Sequence, residues 1–269
     1  MPTVRQIQAK AGEQPITMLT AYDAVTATLV DEAGADIVLV GDSMGNAVLG
    51  YDDTLPVTVD EVASRTGAVV RGTEEALVVA DMPFLSFGGD LRTSIEHCGR
   101  MLKAEGANAV KIESGEHTLE LTDRLDDLGI PVIAHVGLTP QSVNQTGYTQ
   151  QASDREEARE ILELARAHEE AGAFALVLEH VPANLAGAVT EALDVPTIGI
   201  GAGPDCDGQV LVINDAVGLG EWSPPFARQF GDVRGEMVDA VEAYREAVTR
   251  GEFPAEEHSH VEEELDDLY

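Results

Sequence analysis

One pattern recurs along this chain and limits its fold more than any other feature. A glycine ends a helical stretch, a short apolar run follows, and a polar residue with chemistry to offer closes it. Four copies end in an acid: GADIVLVGD (34–42), GTEEALVVAD (72–81), GANAVKIE (106–113) and GAFALVLE (172–179). A fifth, GIPVIAH (129–135), ends in histidine. Glycine takes the left-handed conformation that stops a helix. The β-branched runs are too short for helices and read as strands buried on both faces, as in a parallel sheet.

Extending the reading to the whole chain gives eight strands, at about 16–20, 37–41, 77–81, 109–113, 131–135, 174–179, 196–200 and 210–213. Helical segments separate most of them. The clearest is 154–171, with Ala158, Ile161, Leu162, Leu164 and Ala165 on a period near 3.6 and Ser153 or Asp154 as N-cap. Eight alternating units in 269 residues favour a single-domain (β/α)8 TIM barrel of the α/β class. An open doubly wound sheet is the competitor, but no GxGxxG follows the first strand. The run Gly199-Ile-Gly201-Ala-Gly203 follows the seventh and reads as a tight turn at the barrel mouth. The barrel is assigned to 1–251, with a short N-terminal helix. Residues 252–269 are acidic, lack a core-forming period and read as partly disordered.

Charge narrows the partners. The 49 Asp and Glu outnumber 16 Lys and Arg, for a formal charge of −33. Such a surface repels nucleic acid and anionic membranes. The acids are spread along the chain and lysine is confined to Lys10, Lys103 and Lys111, a composition that resembles proteins of salt-loving organisms. Cys98 and Cys206 form no disulfide framework, no leader-like apolar segment opens the sequence, and no run reaches 18 apolar residues. The expectation is a cytoplasmic protein without membrane spans.

In a barrel the C-terminal strand ends converge on one mouth. Asp42, Asp81, Glu113, Glu179 and His135 all fall at such ends. One acid alone could simply cap a helix, but several together need a cation among them. Oxygen ligands with room for water suit Mg²⁺. Lys111 stands two residues before Glu113, on the same side of its strand, and could meet a substrate carboxylate or a neighbouring acid. A hard cation, a lysine and a spare carboxylate suit enolate chemistry on a 2-oxo acid.

These residues lie in motifs that resemble the ketopantoate hydroxymethyltransferase family. They include TAYD (20–23), VGDSMG (40–45), TLPVT (54–58), ADMPF (80–84), VKIE (110–113), HVGLTPQSV (135–143), LEHVP (178–182) and IGIGAG (198–203), all in family order. The resemblance implies a phosphoenolpyruvate/pyruvate-like barrel. It implies transfer of a one-carbon unit from 5,10-methylenetetrahydrofolate, or a related pterin, to 3-methyl-2-oxobutanoate. It also implies roles: Asp42 and Asp81 as Mg²⁺ ligands, Glu113 as a third metal-associated acid, and Ser43, Asp42, Asp81 and Lys111 at the substrate. Glu179 matches the general base and His135 an active-site histidine. A homo-oligomer, often a decamer, and, with the charge, a halophilic archaeal source are further implications.

The sequence departs from the family pattern after Gly147-Tyr148. A basic loop of the form KVQGR is usual there, and this chain has Thr149-Gln-Gln-Ala-Ser153. Glu221-Trp-Ser-Pro-Pro225 also differs, although Phe226-Ala-Arg-Gln-Phe230 is family-like. Competing readings are another Mg²⁺-dependent enolate-forming barrel lyase or mutase, and a non-catalytic binding barrel.

Overall fold

The eight parallel strands close on themselves in chain order, each paired with its sequence neighbours and β1 with β8. The computed structural model describes residues 3–147 and 149–262. The strands are β1 (Ile16–Thr20), β2 (Ile37–Val40), β3 (Leu77–Asp81), β4 (Ala109–Glu113), β5 (Val132–Gly137), β6 (Ala175–Glu179), β7 (Thr197–Ile200) and β8 (Gly208–Leu211). The helices are α1 (Val4–Gln8), α2 (Ala24–Glu32), α3 (Met44–Ala47), α4 (Val59–Gly72), α5 (Leu91–Lys103), α6 (Leu119–Asp127), α7 (Val143–Thr146), α8 (Arg155–Glu170), α9 (Ala183–Ala192), α10 (Ile213–Ala216) and α11 (Val233–Arg250).

The expected strand positions hold to within two residues. The eighth starts two residues earlier than the expected 210, because Gly208 and Gln209 pair with β1 and β7 despite having no apolar character. Asp154 caps α8 by accepting the backbone N–H groups of Glu156 and Glu157, which settles the choice between Ser153 and Asp154. Four of the five helix-stopping glycines have the left-handed backbone expected: Gly34, Gly106, Gly129 and Gly172. Gly72 does not. It ends α4 where a Cβ would lie 2.2 Å from the Ala24 carbonyl oxygen, so it permits close packing of α2 on α4.

The barrel interior is filled by one side-chain parity of each strand. Ile16 and Met18, Ile37 and Leu39, Leu77 and Val79, Ala109, Ile133, Ala175 and Val177, Ile198 and Val210 form one buried cluster, closed at the strand beginnings by Ile7 of α1. The opposite parity of β2–β4 packs under α2, α4, α5 and α6, and that of β5 and β6 under α8 and α9. Continuing the inward parity toward the strand ends leads to Asp81, Lys111, Glu113, His135 and Glu179. The apolar stack thus gives way to a polar top layer. No helix links β7 to β8. Residues 201–207 make the return, with Gly201 and Gly203 at positive φ, so the glycine run is the start of a crossover as well as a turn.

The chain divides into two compact units. One holds the chain through Ile213 together with Pro225–Ala227, and it contains the whole barrel. The other holds Asn214–Pro224 and the chain from Arg228 onward. In this second unit α11 has no buried residue and carries Met237, Val241, Tyr244 and Val248 exposed on one stripe. Residues 252–262 form one short 3-10 turn, Glu256–His258, and 263–269 lie outside the described residues. Among the described residues no helix is long and apolar enough to cross a membrane.

Candidate active site

The strand ends deliver all seven sequence-selected residues to one mouth of the barrel. Lys111 is the hub. Its Nζ donates to both carboxylate oxygens of Asp81, at 2.7 and 2.8 Å, and both side chains are almost wholly buried. Strand register makes this contact, since Asp81 and Lys111 are paired across β3 and β4. Asp42 follows β2 through Gly41, and its backbone N–H points at Asp81 Oδ2 at 3.4 Å. A Cβ on Gly41 would stand 2.5 Å from Ser43 Oγ, so a larger residue there would have to turn that hydroxyl aside. Ser43 Oγ shares a 2.9 Å hydrogen bond with the Tyr22 hydroxyl.

Glu113 and Asp42 are joined by a residue that the sequence reasoning left out of the site. Gln141 donates its backbone N–H to both Glu113 carboxylate oxygens at 3.2 Å. Its side-chain amide donates to Asp42 Oδ2 and to the Met82 carbonyl, each at 2.9 Å. A neutral amide in a loop carries no charge or period to mark it. Only its place within HVGLTPQSV signalled it. Tyr22, within TAYD, escaped notice for the same reason.

His135 and Glu179 form the other side of the mouth. His135 Nε2 lies 3.2 Å from Glu179 Oε2, close but not aligned as a hydrogen bond, and neither ring nitrogen has a hydrogen-bond partner among the described residues. The backbone around Glu179 is tightly set. Its carbonyl accepts the Leu138 N–H at 2.8 Å, and Gly137, at φ +100°, has no space for a Cβ, which would come 2.3 Å from that carbonyl oxygen. His180 follows at φ +49°, a strained conformation for a non-glycine residue, held by its N–H on the Ile200 carbonyl.

The electrostatics follow from burying several acids around one ammonium. Burial first, and then the charge of Asp81, push the Asp42 carboxyl up to about 7. Burial and Asp42 push Glu113 up to about 9. Lys111 is opposed by its own burial, yet Asp81, Asp42 and Glu113 outweigh that and hold its ammonium above the usual range. Burial, and then Lys111, press the His135 imidazole below its usual value. The mouth therefore has more acid than Lys111 can neutralise. Among the described residues no three His, Cys, Asp or Glu side chains are arranged to enclose an ion. Oxygen donors in excess of positive charge nevertheless suit a hard divalent cation. Mg²⁺ needs only one or two carboxylates, completing its shell with water and substrate. Cys98 lies away from this mouth, buried in the outer layer with its thiol pushed up to about 12.

Comparison with known proteins identifies the family. The family described as ketopantoate hydroxymethyltransferase matches residues 2–256. A 3-methyl-2-oxobutanoate hydroxymethyltransferase of Haloarcula marismortui is 75% identical over 269 residues, covering all of both chains. One of Geobacter metallireducens is 51% identical over 260 residues, covering 96% of this chain and 97% of the relative. Among solved structures, a 2,3-dimethylmalate lyase of the PEP mutase/isocitrate lyase superfamily superposes with TM-score 0.59 at 18% identity, covering 98% and 94% of the two chains. A phosphoenolpyruvate phosphomutase from Streptomyces platensis does so with TM-score 0.64 at 15% identity, covering 93% and 88%. Likeness at that level carries the fold alone. The full-length relatives carry more, and on them this chain belongs to the ketopantoate hydroxymethyltransferase family.

Proposed function

We propose that the chain transfers a hydroxymethyl group from 5,10-methylenetetrahydrofolate, or a related reduced pterin, to 3-methyl-2-oxobutanoate, giving 2-dehydropantoate for pantothenate and coenzyme A synthesis. The observation that carries this reading is Lys111, an ammonium at the centre of a mouth that gathers four carboxylates. Asp42 and Asp81 would hold Mg²⁺ directly and Glu113 through water. Bound there, the ion supplies Lewis-acid polarisation of the substrate's 2-oxo group.

The protein's own residues do the rest. Lys111 and Ser43 bind the small oxo acid, with Asp42 and Asp81 lining it. Glu179 takes the proton from C3, leaving the electron pair on an enolate, and C3 then attacks the donor's methylene carbon. Water supplies the hydroxymethyl oxygen: adding to the donor's methylene carbon, it breaks both C–N bonds and frees the reduced pterin, so the carbon that C3 attacks is at the formaldehyde level and the resulting alkoxide takes the proton back from Glu179. Leu138 and Gly137 fix the main chain that carries Glu179. His135, kept neutral by burial and by Lys111, borders the Glu179 carboxylate and shields it from bulk water.

The test separates proton removal from transfer. With Mg²⁺ and oxo acid alone in deuterated water, the wild type should exchange the C3 proton, followed by NMR. Glu179→Gln should bind the oxo acid and exchange at least about 100-fold more slowly, the usual loss for a missing general base. Wild-type rates in that variant would refute the assignment.

The reading extends to assembly and compartment. The exposed stripe Met237, Val241, Tyr244 and Val248 on α11 supports association of copies into a homo-oligomer, a decamer by family resemblance. Light scattering at high salt checks this. Two free thiols, Cys98 and Cys206, fit a reducing cytoplasm.

A further inference from the structure

A cavity of about 250 Å³ adjoins the acid cluster without containing its reacting groups. Glu113 and Gln141 form the shared wall. The other walls come from three separate loops: Phe84, Leu85 and Phe87 after β3, His117 after β4, and Thr139 and Ser142 after β5. Lys111, His135 and Glu179 do not line it. The cavity thus lies beside these three residues and does not enclose them.

Its walls have a definite chemistry. Phe84 is 39% exposed and Leu85 80% exposed, large apolar side chains left in solvent at a barrel mouth. Leu85 also has φ +59°, a conformation an ordinary loop leucine avoids. His117 is fixed against glycine on two sides. A Cβ on Gly88 would meet its ring at 3.1 Å, and one on Gly115 at 2.8 Å. Hydroxyls of Thr139 and Ser142 add polar contacts. Among the described residues no lysine or arginine lines the cavity. Apolar walls, a fixed imidazole and a few hydroxyls suit a flat, neutral heteroaromatic ring, whereas nothing there would hold an anionic chain.

We propose that this cavity takes the pterin ring of the one-carbon donor against Phe84 and Phe87, and leaves the donor's glutamate tail in solvent. The inference rests on the hydroxymethyl-transfer reading above. It explains how the chain manages with Thr149-Gln-Gln-Ala-Ser153 where its family usually has a basic loop, since the ring and not the tail is what the protein holds.

The test uses the whole protein at high salt. Phe84→Ala and Phe87→Ala should each raise KM for methylenetetrahydrofolate about tenfold or more, with KM for the oxo acid within about twofold of wild type. On the wild type, 6-methylpterin should compete with the donor and not with the oxo acid, a result that needs no variant to fold. Donors with one and three glutamates should have KM values within about twofold. Donor KM unmoved in both variants, or 6-methylpterin competing with the oxo acid, would overturn the proposal. A triglutamate donor bound about tenfold more tightly would place the tail on the protein and overturn it likewise. Absence of Mg²⁺-dependent C3 exchange in the wild type is a different failure, which removes the underlying reading and this inference with it.

Discussion

Replacing Lys111 by methionine isolates the energetic core of the site. Methionine keeps most of the side-chain volume and removes the ammonium. Asp81 then loses the two charged hydrogen bonds at 2.7 and 2.8 Å, and the weak 3.4 Å contact from the Asp42 N–H is a poor replacement. Breaking a buried pair by removing one partner costs about 3–5 kcal/mol, since it strands the other charge. That is a large share of the roughly 5–15 kcal/mol holding a domain folded. At about 2–4 °C per kcal/mol for a chain of this size, the melting temperature should fall by about 6–20 °C in metal-free buffer. The pair is buried, so molar KCl should leave the loss intact, unlike a surface ion pair. The double variant Lys111→Met/Asp81→Asn removes the stranded charge and should recover about 2 kcal/mol or more of it. Calorimetry of the four proteins in the cycle measures both numbers. A Lys111→Met protein within about 1 kcal/mol of wild type, or additive single variants, would refute the reasoning.

Three other perturbations probe the supports of the site. Gln141→Leu leaves Asp42 and the Met82 carbonyl without a donor they now share, and should destabilise by about 1–3 kcal/mol in a denaturant titration. Gly137→Ala forces a Cβ toward the Glu179 carbonyl at a backbone angle alanine dislikes; a loss of at least about 2 kcal/mol and a fall in kcat are expected, read by thermal melting and initial rates. His168 is buried between Thr122 and the Gly115 carbonyl, and burial holds its ring below the usual imidazole range. The unfolded chain therefore takes up a proton first as the pH falls. The stability His168 contributes is complete above about pH 6.5 and is lost progressively below it. Between pH 6.5 and 5, in denaturant titrations at each pH, His168→Phe should shift toward greater stability relative to the wild type; His135 acts in the same sense as His168 and the raised Asp42 and Glu113 carboxyls in the opposite sense, and all three act equally in both proteins.

The site was legible wherever sequence pattern and barrel geometry coincide. Inward parity along a strand places Lys111 with Glu113 because Ala109 lies two positions earlier inside the apolar stack. The same logic aligned His135 behind Ile133 and Glu179 behind Val177. What escaped had no such marker. Gln141 acts from a turn, through one backbone and one side-chain donor, and a turn has no period. Gly72 resembles the other helix-ending glycines yet serves close packing. The start of β8 was misplaced because Gln209 stands on an exposed outward position, where a strand need not be apolar.

The separation of apolar stack from polar top layer bears on how such a barrel can change its trade. The side chains that hold the strands together lie one layer below those that meet the substrate. Exchanging Glu113 or Glu179 alters reactivity without hollowing the interior that keeps the strands in register. Lys111 and Asp81 are the exception, being tied to each other across neighbouring strands by charge, so a lineage that abandons either must also rework its partner.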